Sequence, residues 1–222
     1  MVKTYLCKKT KEKIIINGDL NKPIWSKLKS VGDLTFPWAK KGDFKQKTII
    51  KLTWDDYNLY AGYLAYDFDI ISQNRGTKGA VYNDDVLEIF IDPNPEDNQY
   101  FGFEINARGD LLDYIMLFYR NSNRNWSVKG LKYAIQIEGT LNNHKDKDRY
   151  WTLELAIPWK NFTEYAKTPP RDGDIWKIAL NRIDYNIIKG KKKEEYSMWS
   201  PSRAPVPDYH LRSSFGSVIF IK

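Results

Sequence analysis

The sequence predicts an all-β fold, a two-sheet antiparallel sandwich of the immunoglobulin or jelly-roll kind with one or two short helices, and three observations carry this expectation. Apolar and polar residues alternate with period two in roughly nine to eleven short runs. Clusters of Asn, Asp, Gly and Pro separate the runs, as in Asn17-Gly18-Asp19 and Pro93-Asn94-Pro95. Aromatic residues make up 15%, with Trp 8 and Tyr 15, which suits a core filled by large rings from two facing sheets. With 222 residues and no repeat or linker, one domain over 1–222 is expected.

Taken in order, Lys13, Ile14, Ile15 and Ile16 read as a first strand. Leu20, Ile24, Trp25 and Leu28 then recur at near-helical spacing with Pro23 in the first turn, predicting a short helix over one end of the core. After an irregular link containing Phe36, Pro37 and Trp38, Ile50, Leu52 and Trp54 alternate with Lys51 and Thr53, and Asp55-Asp56-Tyr57-Asn58 turns the chain into an antiparallel return over 59–66. A polar loop with Gly76 and Gly79 leads to Tyr82. Leu87, Ile89 and Ile91 then alternate with Glu88, Phe90 and Asp92, so one face of that strand is apolar and the other carries a carboxylate beside a ring. Phe101, Phe103 and Ile105 oppose Glu104 and Asn106 in the next strand, and a meander continues through 111–119, 132–138 and 151–157. A helical turn at 158–162, a strand over 175–184, a short strand at 197–199 and a last one at 217–221 complete the chain. The run Lys189-Gly190-Lys191-Lys192-Lys193, answered by Glu194-Glu195, reads as a solvated hairpin tip.

Lys+Arg 35 against Asp+Glu 28 gives +7, but the basic residues are scattered, so a nucleic-acid partner is not expected. Cys7 alone excludes an internal disulfide and a cysteine zinc site, and it is expected to be an unreactive thiol. No apolar run approaches spanning length and no export signal is visible, so no membrane partner is expected; compartment stays open, and a monomer is expected. No Ser-His-Asp order, phosphate-cradling glycine loop or zinc-protease motif is present.

Burying Glu88 without a partner would cost several kcal/mol, so it should meet a cation or metal, or face a groove where a ligand uses it. The stretch Asn83-Asp84-Asp85-Val86-Leu87-Glu88-Ile89-Phe90-Ile91-Asp92-Pro93 resembles the family 9 carbohydrate-binding modules and their stand-alone bacterial relatives. Ile16-Asn17-Gly18-Asp19, Leu52-Thr53-Trp54-Asp55-Asp56, Tyr100-Phe101-Gly102-Phe103-Glu104-Ile105-Asn106, Trp151 through Trp159, Asn181-Arg182-Ile183-Asp184, Trp199-Ser200-Pro201 and Phe215-Gly216 extend that resemblance in order over nearly the whole chain. The resemblance implies a DOMON-like sandwich with no catalytic machinery. It further implies that a carbohydrate, such as a chain end, is clamped between two rings while polar side chains read its hydroxyls. Carried over by position, the clamp is Tyr82 and Tyr209, and the polar base is Glu88, Glu104 and Asn181 with Arg182 beside them. Both clamp positions are Tyr where the sugar-binding members carry Trp, and Glu104 stands where an arginine is expected to grip hydroxyls.

Two alternatives share this fold: a haem b electron-transfer domain, with His144, His210, Met116 and Met198 as the available axial ligands, and an interaction domain without a ligand. No cofactor is expected, although Asp55-Asp56-Tyr57-Asn58 or Asp67-Phe68-Asp69 could hold a structural calcium. The glutamate pair also invites comparison with glycoside hydrolases, but sequence spacing does not set the carboxyl separation that hydrolysis requires. Trp25, Trp54, Trp151, Trp159 and Trp176 fall at core phase, while Trp38, Trp126 and Trp199 lie in or near loops and are candidates for an extended sugar subsite.

Overall fold

A computed structural model describes residues 2–222. The strands are β1 (Thr4–Lys8), β2 (Thr48–Trp54), β3 (Asn58–Tyr66), β4 (Val86–Asp92), β5 (Tyr100–Asn106), β6 (Leu111–Phe118), β7 (Asn121–Asn123), β8 (Lys132–Glu138), β9 (Tyr150–Pro158), β10 (Ile175–Ile188), β11 (Lys191–Met198) and β12 (Gly216–Ile221). One helical turn, α1 (Pro23–Lys27), and three 3-10 turns are the remaining regular elements among the described residues.

Two sheets form the sandwich. The smaller has the order β2-β3-β9-β8; the larger runs β1-β12-β10-β4-β5-β6-β7, with β11 also paired to β10. All pairings are antiparallel except β1 with β12. The length of β10 explains the branching: residues 175–178 pair with β12, and 181–188 pair with β11 on that same edge, while β4 occupies the other edge. Between the sheets lie Leu87, Ile89 and Ile91 of β4, Phe101, Phe103 and Ile105 of β5, and Trp54, Trp151, Trp159, Trp176 and Trp199. Removing these apolar surfaces from water is the main drive for closing the sandwich.

A second cluster covers the outer face of the larger sheet: Val86 and Phe90, Tyr100, Tyr114, Ile183, Tyr185, Met198, Tyr209 and Phe215. The period-two pattern of β4 thus has two buried faces, and all seven of its residues are buried. A third, small cluster of Ile14, Ile24, Trp25 and Tyr60 lies where α1 covers the smaller sheet.

The run at 13–16 is not a strand. Ile14 and Ile16 pack against Trp25 and Tyr60 as a cover, and the edge of the larger sheet is taken by β1, whose Tyr5 and Cys7 point inward. Trp199, expected near a loop, is fully buried and donates from Nε1 to Val31 O at 2.9 Å. The lysine run is a solvated hairpin tip, as expected: Lys189 and Gly190 turn between Ile188 and Lys191, and the run continues into β11, a strand of eight residues.

Candidate functional site on the outer face of the larger sheet

Asn181, Glu88 and Glu104 are direct register partners on β10, β4 and β5, so three adjacent strands place them in one row on the outer face. The two glutamates are 3% and 5% exposed and Asn181 is fully buried. Asn181 Nδ2 donates to Glu88 Oε2 at 3.3 Å, and the Tyr114 hydroxyl donates to Glu104 Oε1 at 2.9 Å. Among the described residues no Lys or Arg forms an ion pair with either glutamate. Glu104 Oε2 and Asn181 Oδ1 are buried without a hydrogen-bond partner. Burial pushes Glu104 up to about 7, against the Tyr114 hydrogen bond and the charge of Arg124. Burial and the facing Glu104 charge raise Glu88 well above the ordinary carboxylate range, and the Asn181 bond opposes them. The row therefore holds protons near neutrality and offers acceptor atoms that hydroxyl groups could satisfy.

Rings close over this row. Tyr114 lies across Gly102, where an added Cβ would sit 2.2 Å from its ring, so β5 needs glycine there. His210 stacks on Phe90 at 5.3 Å, and its Nδ1 shares a 2.6 Å hydrogen bond with the Tyr100 hydroxyl. Tyr209 is only 6% exposed; its hydroxyl donates to Arg182 O at 2.7 Å and its ring packs against Trp38 and Tyr196, with centroids 5.9 and 6.0 Å away. Tyr82 occupies a 3-10 turn before β4, is 37% exposed, and its carbonyl accepts from the Tyr185 hydroxyl at 3.0 Å. One ring of the expected clamp thus meets solvent while the other is an internal wall, because the apolar contacts of Trp38 and Tyr196 and a main-chain acceptor both draw Tyr209 inward.

Arg182 does not belong to the row. It alternates with Asn181 along β10 and points between the sheets, where Nη1 donates to Tyr66 O at 2.7 Å and Nη2 to Asp67 Oδ2 at 2.9 Å. Nη2 also lies 3.0 Å from Asp184 Oδ1, without the alignment of a hydrogen bond. Oxygens of Asp67, Asp85 and Asp184 approach within 4.8 Å of one another. Their chemistry would suit calcium, but the guanidinium already holds two of these carboxylates, and Asp85 accepts from the N–H groups of Ile71 (2.5 Å) and Tyr185 (2.6 Å). The trio does not fit a further cation. Asp55 serves its turn instead, accepting from Tyr57 N and Asn58 N at 2.7 Å. Of the four candidate haem ligands, Met198 Sδ accepts from Ser202 N, His144 Nδ1 meets Asp69 Oδ1 at 2.7 Å, His210 lies flat on Phe90, and Met116 is packed in the outer-face cluster.

Beside the row, a groove of about 1080 Å³ opens between residues 36–44, the β10–β11 hairpin and residues 204–207. Trp38, Tyr185 and Tyr196 give it aromatic walls, and Tyr209 backs two of these rings. Lys192 lies 3.8 Å over the Tyr185 ring and donates to Asn83 O at 2.6 Å, which ties the hairpin to the turn carrying Tyr82. A volume of this size accommodates a small saccharide.

Residues 16–222 match the model of the family described as carbohydrate family 9 binding domain-like. The chain belongs to that family. Solved structures share this fold. A Bacteroides uniformis protein provisionally assigned to carbohydrate binding aligns with a TM-score of 0.80 and 19% identity, covering 99% of this chain and 100% of its own. A family 9 module of Caldicellulosiruptor kristjanssonii, in complex with cellotriose, aligns at 0.69 and 16% identity, covering 99% and 94%. Its complex with glucose aligns at 0.67 and 16%, covering 98% and 95%. No curated protein matches the chain.

Within this family member, the sequence reading brought Glu88, Glu104 and Asn181 together and missed Tyr185 and Tyr196. A signal for them was present: Ile183, Tyr185 and Ile187 continue the alternation of β10, and Glu194, Tyr196 and Met198 repeat it in β11. The lysine run hid that pattern, because charge on an edge strand looks like loop composition.

Proposed function

We propose that this protein binds carbohydrate without catalysis, on the outer face of its larger sheet. A saccharide ring stacks in the groove on Tyr196, Trp38 and Tyr185, with Tyr82 at the neighbouring turn, and hydroxyls reach the row of Glu88, Glu104 and Asn181. The observation that carries this reading is the aromatic-walled groove of about 1080 Å³ beside a buried row with unpartnered acceptors. Axial C–H bonds of a sugar meet ring faces favourably, and planar amide and carboxyl groups read adjacent hydroxyls. Family membership and the saccharide complexes of the Caldicellulosiruptor module support the same ligand class. Hydrolysis is disfavoured, since a general acid and its partner must flank a scissile bond in an accessible cleft, whereas these glutamates lie beneath rings.

A glycan array followed by calorimetry tests the reading. Tyr196→Ala and Trp38→Ala should each weaken the best glycan about tenfold, the equivalent of roughly 1.4 kcal/mol. Retention of wild-type affinity in both variants, or no bound glycan at all, would overturn it.

A further inference from the structure

Residues 201–211 follow β11 and cross the outer face from β10 to β5. They pass through Tyr209 at Arg182 O, His210 on Phe90 of β4, and His210 at the Tyr100 hydroxyl of β5. The crossing has no ladder: among the described residues, no main-chain group of 201–210 bonds to main chain of either sheet. Pro201, Pro205 and Pro207 have no N–H to offer. Side-chain tethers hold the segment instead. Trp38 Nε1 donates to Ala204 O at 2.8 Å, Tyr209 reaches Arg182 O, His210 meets Tyr100, the Tyr119 hydroxyl donates to Asp208 Oδ2 at 2.7 Å, Ser202 N donates to Met198 Sδ at 3.2 Å, and Arg120 Nη2 lies 3.5 Å from Asp208 Oδ1. Its middle is at the surface, with Val206 62% exposed. A segment held by few side-chain bonds and no ladder opens locally at far lower cost than a strand.

Beneath it, Glu104 Oε2 and Asn181 Oδ1 lack donors although buried. An unpartnered buried acceptor forgoes the hydrogen bond that water would have given it, so the closed arrangement withholds something that a donor-bearing ligand would supply. We propose that residues 201–211 are a lid over Glu88, Glu104 and Asn181, and that a saccharide gains its hydrogen bonds to this row only when the lid lifts. This rests on the carbohydrate-binding reading above. The His210 tether is a neutral imidazole, since burial lowers that group to about 4 against the pull of Asp208, so its Nδ1 can accept from the Tyr100 hydroxyl. Lifting it also moves Tyr209, which backs Trp38 and Tyr196, so the groove and the row open as one.

Amide hydrogen exchange and stopped-flow binding, with cellotriose and glucose as probes, test the lid. In the free protein the amides of 202–211 should exchange at least tenfold faster than those of β4. The observed association rate should level off with sugar concentration at the opening rate, and bound sugar should slow exchange in the lid. Tyr119→Phe, which loosens one surface tether, should raise both exchange and association several-fold. Lid amides as protected as those of β4, or a Tyr119→Phe variant unchanged in both readouts, would overturn the lid. Sugar binding with a strictly linear association rate and unaltered lid exchange would overturn the lid and leave carbohydrate binding standing. Failure of wild type and variant to bind either probe or any arrayed glycan would overturn both.

Discussion

Glu154 and Glu104 are both buried glutamates on interior strands, yet their surroundings make them opposites. Glu154 Oε1 accepts from the Trp25 indole at 2.8 Å, and Oε2 accepts from Lys22 Nζ, Asn17 N and Gly18 N at 2.7 to 3.0 Å. Its charge is fully satisfied, and it anchors the segment that carries α1. Glu154→Gln should therefore cost about 2–4 kcal/mol in denaturant unfolding at pH 7, because the Lys22 ammonium and two N–H donors lose an anion. Glu104 faces Glu88 across the β4–β5 ladder, with Tyr114 as its donor, Tyr100 near it and Arg124 as the compensating charge. Its folded value of about 7 lies above the ordinary 4.5, so the native state keeps a proton that the unfolded chain releases. The resulting stability is complete below pH 4.5 and is lost as pH rises through 7. Glu104→Gln should remove that decline and stabilise the protein at pH 8 on the order of 1–3 kcal/mol relative to wild type, with little change at pH 4.5. Chemical denaturation at the two pH values checks both variants. Equal slopes with pH for wild type and Glu104→Gln would contradict the assignment.

Among the elements, β5 has its tightest demand at Gly102, where the Tyr114 ring occupies the space of a side chain. Gly102→Ala should displace Tyr114, release its bond to Glu104 and cost about 1–3 kcal/mol, read as a lowered unfolding midpoint. Much of this level was legible in the sequence. The faces of β4 and β5 follow directly from Leu87, Ile89 and Ile91 against Glu88 and Phe90, and the turn at Asp55 follows from its Asx chemistry. What escaped depended on tertiary context. Residues 13–16 have strand composition but join no ladder, and Ile14 and Ile16 pack instead with Ile24 and Trp25 of α1 as cover. Arg182 was assigned to the row by its neighbour Asn181, although adjacent strand residues face opposite ways. Tyr209 shares its loop with exposed residues, and nothing in 201–211 alone reveals that this ring turns toward Trp38 and Tyr196.

At the scale of the whole molecule, a sandwich needs only one face of each sheet for its core, and this chain has also buried much of the outer face of the larger sheet. Loops 36–44 and 201–211 supply that cover and leave an aromatic groove between them, the one proposed above to take the saccharide. The +7 charge adds no site of its own, since the groove carries Asp43, Glu194 and Glu195 as well as Lys40, Lys192 and Lys193. The most direct measurement is an amide NMR titration with the tightest-binding arrayed glycan. Carbohydrate binding on this face predicts saturable shifts confined to Tyr82, residues 36–44, residues 192–196 and residues 201–211, with the indole of Trp38 among the largest. Shifts clustered instead on the smaller sheet around Trp25 and Tyr60, or an unperturbed spectrum at saturating sugar, would contradict it.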